Sequence, residues 1–588
     1  MSASLMWLLD GIAAVPGGDA GGGGGHGDSS GGGGIGVGGA QITDLTLDSR
    51  EVHAGSLFFA LAGHTPRGGH TTHGLEFAAD AAARGAAVVL WEPVGDAAPP
   101  ALPAGVYAAA VPQLSSLVGR IADRFFNWPS SQLRITGITG TNGKTTCAYL
   151  LAQCLDRLGA RAAYIGTLGQ GRITALAAPM LAPSTKPTST SLTTPTTPTT
   201  SMLAAPTSTA PTHTTPDAIS LHRELAGLRA AGVREVALEV SSHALDQHRI
   251  DGVRLHTAAF TNLSRDHLDY HESMAAYGAA KARLFEVPGL QQVVVNIGDA
   301  FGRDLAQKLA SSLPLTAVWL GRDALGWLAE RTVHADEVAA SASGISLSLD
   351  GSFGKQSLDT RLLGRFNAEN ALVVIACLTS LGVTLKDAAG ALAQCTAPPG
   401  RMQVVGPVAS DAGTRAAGPR DAATREPTMR GQPMAVVDYA HTPDALAKAL
   451  GALREHCRGK LWCVFGCGGD RDPGKRRMMG AVADELADEI IVTDDNPRSE
   501  NPQAITRAIE AGIKSRSVRV IHDRGEAIAT ALRQASPLDV VLIAGKGHED
   551  YQIYGETRRK FSDVLEAQRC LGLGVSAAVS SSLCRGTA

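Results

Sequence analysis

The run Gly140-Thr141-Asn142-Gly143-Lys144-Thr145-Thr146 constrains this chain more than any other feature. Residues 133–139 before it read as a strand. Residues 145–159 after it carry Ala148, Leu151, Cys154, Leu155 and Leu158 at helical spacing, and Gly159 supplies a stop. A glycine-rich turn between a strand and a helix lets backbone N–H groups approach phosphate oxygens, where the helix N-terminus adds positive potential. Lys144 is then placed to reach β- and γ-phosphates, and Thr145 to offer a hydroxyl to Mg²⁺. The strict phosphate-loop pattern also wants glycine at position 138, where this chain has Ile138. An ordinary glycine turn is the bland alternative, and it does not account for the strand, the helix and the Lys-Thr-Thr run together.

A strand–loop–helix unit implies a layered α/β fold, and the rest of the chain repeats the pattern. Further strands are predicted at 235–240, 258–262, 292–296, 461–466, 490–494, 518–522 and 540–545, each followed by a helical pattern. Doubly wound parallel sheets bind ligands beyond the carboxyl ends of their strands. The polar runs Gly468–Arg471, Asp495–Arg498 and Gly545–Glu549 all fall there. With 588 residues and 44% hydrophobic residues, the chain has material for several cores, about three or four by length. The segment 17–39 is mostly glycine and 171–212 is rich in Thr, Pro and Ser, so a flexible arm over 1–40 and a low-complexity insertion are expected. A third polar stretch spans 410–432.

The net charge of −3 gives no support to a nucleic-acid-coating protein. No apolar run reaches membrane-spanning length and no secretory leader is expected. Nine scattered cysteines without a CxxC pair suggest reduced thiols in the cytoplasm, and Cys463 and Cys467 lack the partners of a zinc site.

Two polar segments follow later strands, 239–249 and 261–271, and Tyr277 and Lys281 then share a helical face. Mg²⁺ prefers hard oxygen ligands, so Glu239 is a candidate. A lysine ammonium would repel the metal, and the bland reading of Lys281 is a solvated helix lysine. The wording of the phosphate loop and of these segments resembles the Mur ligases, and the loop alone is also similar to that of folylpolyglutamate synthetases.

The Mur ligase resemblance covers about residues 41–170 and 213–570 and carries expectations for specific residues. It implies three domains: a smaller N-terminal α/β UDP-binding domain (41–132), a central P-loop domain with a parallel-type sheet (133–398), and a C-terminal Rossmann-like doubly wound domain (399–588). It places ATP on Gly140, Thr141, Asn142, Gly143, Lys144, Thr145 and Thr146, with Asn370, Arg401, Asp438 and His441. It puts Mg²⁺ on Thr145, Glu239, His267 and Lys281, the last carrying a CO₂-derived carbamate that turns a cation into an anion. Lys144, Glu239, His267 and Lys281 are the implied catalytic set. The motifs Leu47-Asp48-Ser49 and His64-Thr65-Pro66 resemble the UDP-binding module, and Thr214, Thr215, Ser241, Gln247 and Arg249 match positions for the sugar-peptide part.

The segment Asp495-Asn496-Pro497-Arg498, with Arg471, Gly545 and Glu549, resembles the site for meso-diaminopimelate. Arginine forks suit carboxylates and acidic groups suit ammonium. The activity implied is ATP-dependent ligation of that diamino acid to UDP-MurNAc-L-Ala-D-Glu through an acyl phosphate, by a cytoplasmic monomer without nucleic-acid or membrane partners. An L-lysine-adding relative is the alternative. A folylpolyglutamate-type enzyme fits poorly with the nucleotide-sugar module, and a non-catalytic ATP binder with the presence of all four catalytic-set residues.

Overall fold

The computed structural model describes residues 2–13, 40–63, 73–94, 101–103, 105–173, 214–322, 330–406 and 431–573. His64, Thr65, Pro66 and nearly all of the 17–39, 171–212 and 410–432 segments lie outside the described residues. The chain divides into two compact units: Met1–Lys144 with Gly159–Ala259 and Leu263–Val293, and Thr145–Leu158 with Phe260–Asn262 and Val294–Ala588.

The first unit contains a four-stranded parallel sheet of Asp44–Thr46, Ser56–Ala60, Ala86–Trp91 and Tyr107–Ala110. Its strands alternate between two cores. Leu57, Phe59, Val88 and Leu90 face the helices Leu114–Phe125 and Ala218–Ala230, whereas Phe58, Ala60, Val89 and Trp91 face Ala78 and Ala81. Burial on both faces is what a parallel sheet requires. Asp217 caps the second helix, its Oδ1 accepting from Ile219 N and Ser220 N at 3.0 Å.

The arm expected over 1–40 needs one correction. Ala3–Ser4 pairs antiparallel with Gln41–Ile42, and the short helix Leu5–Leu9 buries Leu5, Leu8 and Leu9 in the N-terminal core. The apolar residues before the glycine tract fall within the expected arm, and packing claims them.

In the same unit Glu235–Glu239 lies parallel between Arg134–Thr139 and Ala162–Gly166. Helix Lys144–Arg157 follows the first of these strands, and Gly159, at φ 84°, takes the turn after it.

The second unit carries a six-stranded sheet in the order Gln403–Val405, Met434–Asp438, Val540–Ala544, Leu461–Phe465, Glu489–Val492, Val518–Val520. Only its first pair is antiparallel. Leu461, Cys463 and Phe465 pack with helices Pro443–Arg454 and Gly474–Leu486, while Trp462 and Val464 pack with Arg524–Gln534 and Asp563–Cys570. This is the doubly wound arrangement expected. A departure lies at Arg331–Ser341, Gly344–Gly351 and Gln356–Thr360, which form an antiparallel meander. The tight turn at Gly344 (φ 141°) dictates it, since a crossover to a parallel strand needs a much longer connection. Every described cysteine is free, and among the described residues no helix is long and apolar enough to cross a membrane.

Candidate active site

Strand Arg134–Thr139 ends in Gly140 at φ 147°, and Gly143 follows at φ 85°. Side chains other than glycine's avoid both conformations, so the two glycines set the loop's path. Lys144 opens the helix and donates from Nζ to Gly140 O and Thr141 O, both at 2.8 Å. Thr141 Oγ1 accepts from Ser264 N at 3.0 Å and donates to Ser264 O at 3.2 Å, while Asn142 Nδ2 donates to Ser264 Oγ at 3.3 Å. Two motifs distant in sequence are thereby joined. Thr145 and Thr146 are buried in the first helical turn.

Lys281 joins this loop. The bland reading as a solvated lysine does not hold: the side chain is 1% exposed, and its Nζ donates to Gly140 O at 2.8 Å. It also lies 4.3 Å from the centroid of the Tyr277 ring. Burial, with Lys144 nearby, lowers its pKa to about 6. Burial also pushes the Tyr277 hydroxyl up to about 12.

Glu239, at the end of its strand, is fully buried. Its carboxylate accepts from the Tyr164 hydroxyl, from Thr167 N at 3.0 Å and from Thr167 Oγ1 at 3.2 Å. Gly166 makes room for it, because a Cβ there would stand 2.2 Å from Glu239 Oε1. Tyr164 and Thr167 were missed in the sequence. The available signal was their place at the end of the strand pairing with the one that delivers Glu239.

His267 is exposed, at φ 51°, just before the turn Leu268–His271. Its ring is edge-on to His243, with centroids 4.9 Å apart, and 6.1 Å from Tyr277. Neighbouring side chains partly desolvate the exposed His267 ring and draw its pKa down, and burial lowers that of His243 to about 4, with His267 and His271 adding to the effect. Among the described residues no three His, Cys, Asp or Glu side chains are grouped to hold a metal. The Thr145 hydroxyl and Glu239 carboxylate are nevertheless hard oxygen donors of the kind Mg²⁺ takes.

Thr215, Ser241, Gln247 and Arg249 are brought together. Thr215 Oγ1 donates to Glu239 O at 2.9 Å and accepts from Ser241 N at 3.1 Å. Arg249 donates to Thr215 O and, through Nε, to Gln247 Oε1, both at 3.0 Å. Thr214 is half-buried beside them in sequence. In the N-terminal sheet Leu47 is half-buried and Ser49 buried, at a turn capped by Asp48. The hydrogen bond from Arg50 holds the Asp48 carboxyl below its ordinary pKa.

The second unit gathers the other expected residues. Asn370 is buried and donates to Asn367 Oδ1 at 2.9 Å. Asp438 closes the turn at Arg401: Oδ2 accepts from Met402 N at 2.7 Å and Oδ1 from Ala440 N at 2.8 Å. Burial raises its pKa, against the opposing effect of Arg401. Arg401 lies 5.0 Å from the Tyr439 ring centroid, and its buried Nε has no hydrogen-bond partner among the described residues. His441 and His548 flank the same ring at 4.7 and 5.4 Å. Tyr439 thus organises this corner.

At the strand ends beyond, Asp495, Asn496 and Pro497 are buried, and Asn496 Nδ2 donates to Glu549 Oε2 at 3.0 Å. Gly545 leaves space that a Cβ would take within 2.8 Å of Asp495 Oδ2. Arg498, at φ 52°, donates from Nη1 to Gly469 O at 2.7 Å. Arg471 is exposed, and both arginines flank Gly468.

Comparison with known proteins shows which family the chain resembles. The chain matches the Mur ligase family, catalytic domain over 41–126, the Mur ligase middle domain over 138–378 and the Mur ligase, glutamate ligase domain over 425–547. A UDP-N-acetylmuramoyl-L-alanyl-D-glutamate–2,6-diaminopimelate ligase of Alkalilimnicola ehrlichii is 44% identical, over 90% of this chain and 94% of its own. The Pseudomonas aeruginosa protein of that name is 42% identical, over 90% and 95%. A solved structure of a ligase of the same name superposes with a TM-score of 0.62 at 31% identity, covering 97% of this chain and 99% of its own. MurF from Acinetobacter baumannii shares the fold, with a TM-score of 0.52 at 17% identity over 91% and 93%.

Proposed function

The chain belongs to the Mur ligase family of ATP-dependent, amide-bond-forming enzymes, and on that premise we propose that it joins meso-diaminopimelate to the D-Glu γ-carboxylate of UDP-MurNAc-L-Ala-D-Glu. The observation that carries this reading is the match, along nine-tenths of the chain, to relatives named for that reaction. The domains of this reading are 41–132, with Ala3–Leu9 added, 133–398 and 399–588. The enzyme acts as a cytoplasmic monomer.

A carboxylate is a poor electrophile. Its oxygen attacks the γ-phosphorus of ATP, ADP leaves, and an acyl phosphate forms. The amine of the diamino acid attacks the acyl carbon, loses a proton, and phosphate leaves. Lys144, on the phosphate loop, offsets charge on the transferring group. Thr145, Glu239, His267 and a carbamate on Lys281 would hold Mg²⁺, which supplies further charge neutralisation when bound. A buried amine with pKa about 6 is largely unprotonated at neutral pH, the form that adds to CO₂ with release of a proton. Asn370, Arg401, Asp438 and His441 contact the nucleotide. Leu47, Ser49, His64, Thr65 and Pro66 take the UDP end, and Thr214, Thr215, Ser241, Gln247 and Arg249 the sugar-peptide part. Asp495, Asn496, Pro497, Gly545 and Glu549 receive the diamino acid, with Arg498 and Arg471 for its carboxylates.

The test is ADP release and product mass with ATP, Mg²⁺ and UDP-MurNAc-L-Ala-D-Glu, adding meso-diaminopimelate, L-lysine or neither. Release and tripeptide that depend on diaminopimelate are expected. Release with lysine instead would reject the amino-acid assignment, and no release with either would reject the reaction.

A further inference from the structure

Lys546 sits inside the Gly545–Glu549 segment, and the reaction above leaves it without a role. Its side chain is fully buried. Its Nζ donates to Asp495 Oδ1 at 3.3 Å, Asn496 Oδ1 at 3.1 Å and Glu549 Oε2 at 3.3 Å. Three acceptors thus meet the three hydrogens of an ammonium. The Tyr551 ring, 5.6 Å away, covers it further. Asn496 Nδ2 donates to the same Glu549 oxygen at 3.0 Å, so the carboxylate is held from two sides.

The charges here do not balance, and the imbalance has a use. Asp495 and Glu549 each touch one nitrogen, so those oxygens are no more than twice that distance apart. Two carboxylates meeting at one point repel each other unless a cation stands between them. Buried Arg524 does not serve both, because Asp563 already pairs with it through two 2.7 Å contacts. Lys546 therefore bridges both acids while supplying a single positive charge. Glu549 is the outward member of the pair: its oriented carboxylate is partly exposed, whereas Asp495 is nearly buried.

We propose that Lys546 is a positioning residue: it fixes the orientation of the Glu549 carboxylate and through it sets the affinity for the incoming ammonium. The inference rests on the reading that Glu549 receives the diamino acid. The experiment compares wild type, K546M, E549Q and the double variant in the full chain, with meso-diaminopimelate as the varied substrate. K546M and E549Q are each expected to raise the KM for the diamino acid about tenfold, with the KM for ATP and for the nucleotide-sugar unchanged. Because Lys546 acts through Glu549, the double variant should stay within about twofold of E549Q. Multiplying effects in the double variant would overturn the inference, as would a K546M that raises all three KM values together. Should K546M fail to fold, K546M/E549Q has one carboxylate fewer to balance and is expected to fold with the KM of E549Q, and its failure also overturns the inference. Wild type that ligates no diaminopimelate would reject the substrate reading instead.

Discussion

A lysine enclosed by protein avoids an unpaired charge in one of two ways: it gives up its proton or it finds an anion. Lys546 takes the second course, between Asp495 and Glu549. Lys281 takes the first, since its ammonium would face a carbonyl, and neighbouring Lys144 disfavours its charged form. The two lysines are alike in residue type and in burial, and their neighbours separate their chemistry. Protein incubated with ¹³C-bicarbonate should show a carbamate resonance that is lost in K281M. The sign of its pH dependence follows from the lowered pKa: the amine is free above about 6 and protonated below it. The signal should therefore fade as pH drops through that value, and a wild type silent at every pH would remove the carbamate from the mechanism. A second residue-scale prediction concerns Tyr164, whose hydroxyl donates to Glu239. Support of this kind for a metal ligand typically carries a 10–100-fold effect. Tyr164→Phe should raise the Mg²⁺ concentration needed for half-maximal activity by about that factor, leaving the melting temperature nearly unchanged. Equal Mg²⁺ dependence in both proteins would make Tyr164 a packing residue only.

Elements depend on which face their residues are given, and the C-terminal sheet shows how far a strand pattern can be read. In Leu461–Phe465 successive residues enter opposite cores, so the run is apolar throughout, and a buried parallel strand was legible from that alone. The helices behind it were legible from spacing, but their partners were not. Arg524 begins one helix and Asp563 begins another, and in sequence both look like ordinary first-turn charges. In the fold both are wholly buried, and Arg524 also donates to Ala544 O at 2.9 Å. Breaking a buried pair strands the surviving charge and typically costs about 3–5 kcal/mol. Asp563→Asn should lower the unfolding free energy by that order in urea titrations, with an unchanged denaturant slope. A loss under about 1 kcal/mol would mean that the guanidinium finds water or another acceptor. The meander of 331–360 was less legible still. Its alternation Ile345, Leu347, Leu349 marks a strand, whereas its direction depends on a turn at Gly344 that only three dimensions reveal.

Over the whole molecule, the sequence exposed the chemistry better than the packing. The phosphate loop, Glu239 and the 495–498 segment could each be read locally, because a ligand-facing loop at a strand end carries its residue types in consecutive positions. What could not be read were the supports: Tyr164 lies 75 residues from Glu239, and Lys546 lies 51 from Asp495. Composition misled in one place, where apolar residues preceding a glycine tract looked peripheral. Leu5, Leu8 and Leu9 are buried against Ile42, Leu90 and Phe125. Burying each leucine is worth roughly 1.5–3 kcal/mol before the cost of ordering the segment. Removing residues 2–13 should therefore shift the denaturation midpoint down clearly, and activity should fall in parallel with the folded fraction. Removing 176–210, a Thr/Pro/Ser-rich stretch by composition, should change stability by only about 0.5 kcal/mol, since loop closure depends weakly on length. It should leave ligation intact. If the first deletion proved neutral, the N-terminal helix would be an appendage after all. If the second abolished ligation in a folded protein, the insertion would belong to the reaction.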